Sequence, residues 1–167
     1  MEARQEIEAV YAVSTQREGV TEAENEIIEQ ALRILGRCMR AEQVKIGSPS
    51  AVKEYLSVKM SGLEREVFSV VFLDAQHHVI AFEEMFAGTL SRTSVYPREV
   101  VKAALRHNAG AVILAHNHPS GDMTPSRADE MLTQTLKTSL QLVDVRVLDH
   151  IIVGQAKCLS MAERGLI

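Results

Sequence analysis

At 167 residues, 46% hydrophobic and 24% charged, the chain is long enough to bury one sizeable core and is expected to form a single domain with appendages. Eighteen Lys and Arg against 22 Asp and Glu leave a formal charge of −4, which argues against a protein whose main task is gripping a phosphate backbone, although a local basic patch stays open. The sequence shows no membrane-length apolar run and no signal-peptide core, so a cytoplasmic location is expected, without membrane association.

Residues 2–13 read as a short helix with Ile7, Val10 and Tyr11 on one face. From Thr21 to about Met39 a longer amphipathic helix is expected: Thr21 and Glu24 have capping-box spacing, and Ile28, Ala31, Leu35 and Cys38 form one stripe. That stripe can pack on its own domain or on a second copy, so a homodimer is kept open. Gly47-Ser48-Pro49-Ser50 breaks the pattern, and Ser50 is read as the N-cap of a short helix through Leu56 that ends at Ser61-Gly62.

The period then changes. Val67 to Leu73 is a β-branched and aromatic run of strand length, Asp74-Ala75-Gln76-His77 is a turn, and His78 to Phe86 completes a hairpin. His77 and His78 are read as solvated turn residues. Pro97 is placed at the first position of a helix with Glu99 in its first turn. The buried face of this helix is assigned to Val101, Ala104 and Leu105, and Asn108-Ala109-Gly110 closes it. His107 falls in its last turn, where the dipole favours a partly cationic ring. Ala111 to Ala115 is the next strand, and Ser126 to Leu142 the next helix, with Leu132, Leu136 and Leu140 in line. Val145–Val153 and Lys157–Met161 are two more strands around Gly154. The order β-β-α-β-α-β-β predicts an α/β sandwich: a mixed β-sheet with flanking helices. Cys38 and Cys158 lack metal-type spacing and are read as small buried hydrophobes.

The chemistry concentrates after the Ala111–Ala115 run. His116 and His118 are two apart, so on a strand both rings leave the same face and Asn117 the other. Pro119 to Pro125 contains the residues of a chain reversal, which brings Asp129 on the next helix back toward the imidazoles. Two histidines and one carboxylate leave a fourth position for water, the open arrangement of a catalytic zinc site. A second reading stays open: Ser126-x-x-Asp129 also has the spacing of a helix cap, and a carboxylate engaged in capping is less available to a metal. Asp149 and His150 point to opposite faces of their strand. Either can orient a metal ligand from behind, or the two are a buried structural pair.

These residues resemble a known signature. His116-x-His118, seven residues, Ser126, two residues and Asp129 match the JAMM (MPN+) metalloprotease motif. Gly88-Thr89-Leu90, Tyr96-Pro97-Arg98-Glu99, His116-Asn117-His118-Pro119-Ser120-Gly121, Pro125-Ser126 and Leu148 to Gly154 are similar to the RadC family of bacterial JAMM proteins, from about residue 46 onward. The resemblance implies a helical extension over residues 1–45 and a JAMM/MPN domain over 46–167, of the cytidine-deaminase-like α/β fold. Full-length members carry a helix-hairpin-helix module, and residues 1–45 show no such pair of hairpins, so the chain is similar to the short members.

The implied activity is a zinc-dependent peptidase, hydrolysing a peptide or isopeptide bond of an unknown protein or peptide substrate. His116, His118 and Asp129 are the implied Zn2+ ligands, Ser126 the implied oxyanion donor, and an upstream glutamate the implied general base. Glu66, at the start of the first sheet strand, is preferred for that role; Glu83 and Glu84 stay open, and Glu99 is read as a first-turn helix carboxylate. The alternative is a non-catalytic metal-binding interaction module associated with DNA repair or mobile elements; the acidic balance argues against nucleic acid as a partner but leaves it open. A zinc deaminase would need a Pro-Cys-x-x-Cys run, which the sequence lacks.

Overall fold

The computed structural model describes residues 20–41, 49–88, 94–155 and 157–167, with backbone alone for 35–41. The expected helix over 2–13, the Gly47-Ser48 break, the boundary near residue 45, the Cys38 side chain and Thr89-Leu90 lie outside them. The described elements are α1 (Glu22–Ala41), α2 (Pro49–Met60), β1 (Val67–Leu73), β2 (Val79–Ala87), α3 (Pro97–Arg106), β3 (Ala111–Asn117), α4 (Arg127–Gln141), β4 (Arg146–Val153) and β5 (Cys158–Ser160). This is the expected mixed α/β architecture. Among the described residues no helix is long and apolar enough to cross a membrane.

The strands form one sheet in the order β2-β1-β3-β4-β5. β1 runs antiparallel to both β2 and β3, and β4 antiparallel to β5. β3 and β4 are parallel, the pairing that requires a crossover, and α4 supplies it. Every residue of β1 and β3 is buried, which is why both read as near-continuous apolar runs rather than alternating ones.

Helices cover both faces. On one, Val67, Val71, Leu73, Ala111, Ile113 and Ala115 pack against Val52, Leu56 and Met60 of α2. On the other, Phe68, Val70, Phe72, Val112 and Leu114 pack against Val100, Ala103 and Ala104 of α3 and Leu136 and Leu140 of α4. His116 continues the second set, so its ring emerges among α4 residues.

Several local expectations shift. The Thr21–Glu24 capping box is present: the Thr21 N–H donates to Glu24 Oε2 at 2.8 Å and the Glu24 N–H to Thr21 Oγ1 at 3.4 Å. α2 already includes Pro49, whose fixed φ suits a first turn, so Ser50 lies inside the helix rather than capping it. α3 begins at Pro97 as expected but buries Val100, Ala103 and Ala104, while Leu105 is exposed. The stripe is rotated by one position because His107 belongs to it. That ring stacks on Phe72 at 4.7 Å and meets Glu83 Oε1 at 2.6 Å. His78 is not a freely solvated residue either, since its Nδ1 lies 2.9 Å from Asp74 Oδ2. Cys158 is half-buried, and burial raises its thiol pKa, consistent with a small hydrophobe rather than a reactive group.

Gly154, just past β4, touches the loop that leads from β3 to α4. A Cβ there would lie 2.8 Å from the Gly121 carbonyl oxygen and 2.9 Å from Met123 Cγ. Gly154→Ala is therefore expected to destabilise the protein by about 1–3 kcal/mol, because backbone must move to admit the methyl group. Urea unfolding measures this, and an unchanged midpoint would mean the loop is not held against β4.

Candidate metal centre

The site forms where β3 ends. Backbone pairing with β1 runs to Phe68 opposite His116, and the His118 N–H then donates to Val153 O of the β4 side at 2.9 Å, so the strand stays extended through both histidines. Alternation places the two rings on one face with their Nε2 atoms 2.9 Å apart. The chain reverses through Gly121, whose φ of +81° suits glycine, and enters α4. The first turn of α4 brings Asp129 Oδ1 to 3.4 Å from His116 Nε2, and Oδ2 to 3.8 Å from His118 Nε2. One donor atom from each of the three residues lies within 4.8 Å of the others.

Asp129 does two jobs with one carboxylate. Its Oδ2 accepts from the Ser126 N–H and from Ser126 Oγ, both at 2.7 Å, while the Asp129 N–H donates to Ser126 Oγ at 3.2 Å. This is a complete capping box. Oδ1 meanwhile faces His116. The cap and the metal reading are therefore compatible, because capping fixes the rotamer that aims the second oxygen at the imidazoles. The Ser126 hydroxyl is exposed, and as found it donates its proton to Asp129.

Hydrogen bonds behind the rings set which nitrogens are free. His118 Nδ1 lies 2.5 Å from the Asp122 carbonyl, an acceptor only, so Nδ1 carries the proton and Nε2 the lone pair. Behind His116, the Thr133 hydroxyl donates to Asp129 O at 2.6 Å and accepts from His150 Nδ1 at 2.5 Å. His150 Nε2 is then an acceptor, and it receives the His116 Nδ1 proton at 2.8 Å. With neutral rings this assignment leaves His116 Nε2 unprotonated and directed at its two partners, as ligation of one cation by both Nε2 atoms would require. Burial, the largest cause, lowers the pKa of His116 to about 4; neighbouring His118 adds to this and the Asp129 carboxylate opposes it. Burial likewise pushes His150 well below the usual value, and the nearby His116 and His118 push it further. Two neutral imidazoles and a carboxylate are the donor chemistry of a divalent transition-metal site of the zinc type. The 2.9 Å between the two Nε2 atoms and the 3.4 Å from His116 Nε2 to Asp129 Oδ1 lie either side of the ~3.3 Å edge of a tetrahedron with bonds of about 2.0 Å.

The remaining expected residues separate. Asp149 is not part of this arrangement: its Oδ2 accepts from Ser160 Oγ at 2.6 Å and its Oδ1 from the Ala162 N–H at 3.0 Å, so it ties β4 to the C-terminal turn. His150, on the opposite face, is the member of that pair behind the site. Glu83 pairs with Arg106 Nη2 at 2.7 Å and with His107, away from the histidines. Glu84 lies 3.5 Å from Lys59 of α2, across the sheet. Glu99 pairs with Lys102 at 2.8 Å. Glu66 precedes Phe68 by two positions, so alternation sends its side chain to the face that carries His116. Glu83, opposite Val70, shares that face but is engaged by Arg106 and His107, whereas Glu84 lies on the α2 face. Thr133 was not foreseen; its only signal is that it lies four residues after Asp129, on the same face of α4.

The buried imidazoles also make metal-free protein acid-sensitive. Their folded-state pKa values lie below that of an unfolded histidine, about 6.5, so the unfolded chain binds more protons as pH falls. The stability present at neutral pH is expected to decline from about pH 6.5 toward 4, on the order of 3 kcal/mol from His116. Urea unfolding of metal-free protein between pH 7.5 and 4.5 measures the loss, and a flat profile would refute the burial account.

A mixed sheet clad on both faces and ending in a His-His-Asp cluster defines the class of protein, and comparison with known proteins agrees with it. The model of the RadC-like JAB domain matches residues 46–166. The chain is 57% identical over 141 residues to a "UPF0758 protein" of Albidiferax ferrireducens, covering 84% of this chain and 60% of that protein. It is 58% identical to one of Acidovorax sp. strain JS42 over 141 residues, 84% of this chain and 59% of that protein. To one of Leptothrix cholodnii it is 61% identical over 127 residues, 76% and 57% of the two chains. The chain belongs to the RadC-like JAB domain family. It spans about three fifths of the length of these curated relatives.

Proposed function

We propose that the protein is a zinc-dependent peptidase that hydrolyses a peptide or isopeptide bond. The observation carrying this reading is the convergence of the His116, His118 and Asp129 side chains, each also held by a bond to a residue outside the trio. These three side chains would hold the ion. When bound, zinc supplies Lewis acidity, lowering the pKa of water toward about 7 and polarising a carbonyl oxygen.

The chain's own residues divide the rest of the work. Glu66 takes a proton from the attacking water as the new C–O bond forms, and returns it to the leaving nitrogen as the C–N bond breaks. Ser126, once its hydroxyl turns from Asp129, donates a hydrogen bond to the oxyanion developing on the substrate. His150 and Thr133 hold the His116 ring in the tautomer whose Nε2 is free. His150→Leu is expected to weaken zinc binding about 10–100-fold by chelator competition, the usual effect of losing a partner behind a ligand. An unaltered affinity would show that the relay does not orient His116. A cytoplasmic location accords with this reading.

The reading is tested by metal analysis of protein purified without chelators. About one zinc per chain is expected, and a stoichiometry near zero after zinc addition would end the proposal.

A further inference from the structure

Resting on the peptidase reading, one observation deepens it. Asn117 lies between the two histidines and, by alternation, on the opposite face of β3. It is buried, 2% exposed, and both ends of its amide are used. Its Oδ1 accepts from the Val67 N–H at 2.8 Å, and its Nδ2 donates to the Arg65 carbonyl at 3.0 Å. Those two peptide groups flank Glu66. On the other side of the same strand, the Glu66 carbonyl accepts from the Gly88 N–H at 2.8 Å.

The β1–β3 register ends at the pair Phe68–His116, and the next backbone bond of β3 goes to the β4 side, His118 N–H to Val153 O. Past that point the Asn117 amide bonds the Arg65 and Val67 backbone on the β3 side, presenting a donor and an acceptor as a peptide group would. We infer that Asn117 is a positioning residue for the general base: by bonding both peptide groups around Glu66, it keeps residues 65–67 extended and holds the carboxylate on the metal face. One tripeptide, His116-Asn117-His118, then sends two donors to one face and sets the base from the other. Asp at position 117 has the same shape but two acceptors, so it repels the Arg65 carbonyl. Leu there removes both bonds.

The test compares wild type with Asn117→Asp and Asn117→Leu by NMR, using Co2+ alone as the probe. In wild type, Co2+ is expected to shift the side-chain signals of His116 and His118 and the Glu66 carboxyl 13C, assigned with Glu66→Gln. In both variants the histidine shifts should persist while the Glu66 shift falls by more than half. In Asn117→Leu, which removes the acceptor of the Val67 N–H, exchange of the Val67 amide should also accelerate about tenfold, as for loss of one hydrogen bond, with the Val70 and Leu114 amides unchanged. An undiminished Glu66 shift in Asn117→Asp, beside intact histidine shifts, overturns the inference and leaves the metal centre standing. Failure of Co2+ and Zn2+ to bind wild type overturns the peptidase reading and the inference with it. A Glu66 signal unmoved by bound Co2+ in wild type removes Glu66 as base, and with it the role of Asn117, without touching the ligands.

Discussion

Glu66→Gln protein is expected to bind zinc as wild type does and to lose hydrolysis by about 10²–10⁴-fold, the range for removal of a general acid–base group. The substitution keeps shape and strand geometry but removes the only proton acceptor assigned to the attacking water. The measurement pairs metal content with turnover of the best-cleaved member of a peptide and isopeptide mixture, followed by mass spectrometry. Unchanged turnover would remove Glu66 from the mechanism. Wild-type protein that binds zinc and cleaves nothing would favour the metal-binding interaction module instead. Glu83→Gln and Glu84→Gln serve as controls, since both carboxylates are tied to cations elsewhere and neither is expected to affect turnover.

Asp129→Ala is expected to combine two losses that Ser126→Ala separates. Removing Asp129 takes away one of three ligands, so zinc affinity should fall by more than the 10–100-fold typical of residues behind a ligand. It also opens the capping box, at a cost of about 1 kcal/mol. Ser126→Ala opens the same cap at a similar cost but leaves Asp129 Oδ1 beside His116, so zinc should be retained. If Ser126 is the oxyanion donor, its loss should still lower turnover by about 10²–10³-fold. Zinc titration and thermal unfolding of the metal-free proteins resolve the two effects. Equal loss of zinc in both variants would mean that capping, not ligation, is what the pair supplies.

Much of this arrangement is legible in the linear chain because its determinants are local. His-x-His on a strand-length apolar run fixes both rings on one face, Pro97 marks the first turn of α3, and Ser126-x-x-Asp129 marks that of α4. Each rests on a period or a cap that involves neighbours within one turn. Those spacings established an α/β chain with three convergent donors and a JAMM-like pattern.

What only the tertiary structure decided involves partners distant in the chain. The buried stripe of α3 could not be told from its neighbour one position away, because both are apolar; contact of His107 with Phe72 and Glu83 chose between them. Asp149 and His150 were equivalent as a strand dipeptide until β5 captured one and Thr133 the other. The conflict between capping and ligation for Asp129 eased once its Oδ2 was seen to take the cap while Oδ1 lies beside His116. Glu66, Glu83 and Glu84 are alike as sequence. Strand register, a long-range property, set Glu83 opposite Val70 beside Arg106 and His107 of α3, and Glu84 beside Lys59 of α2 on the other face.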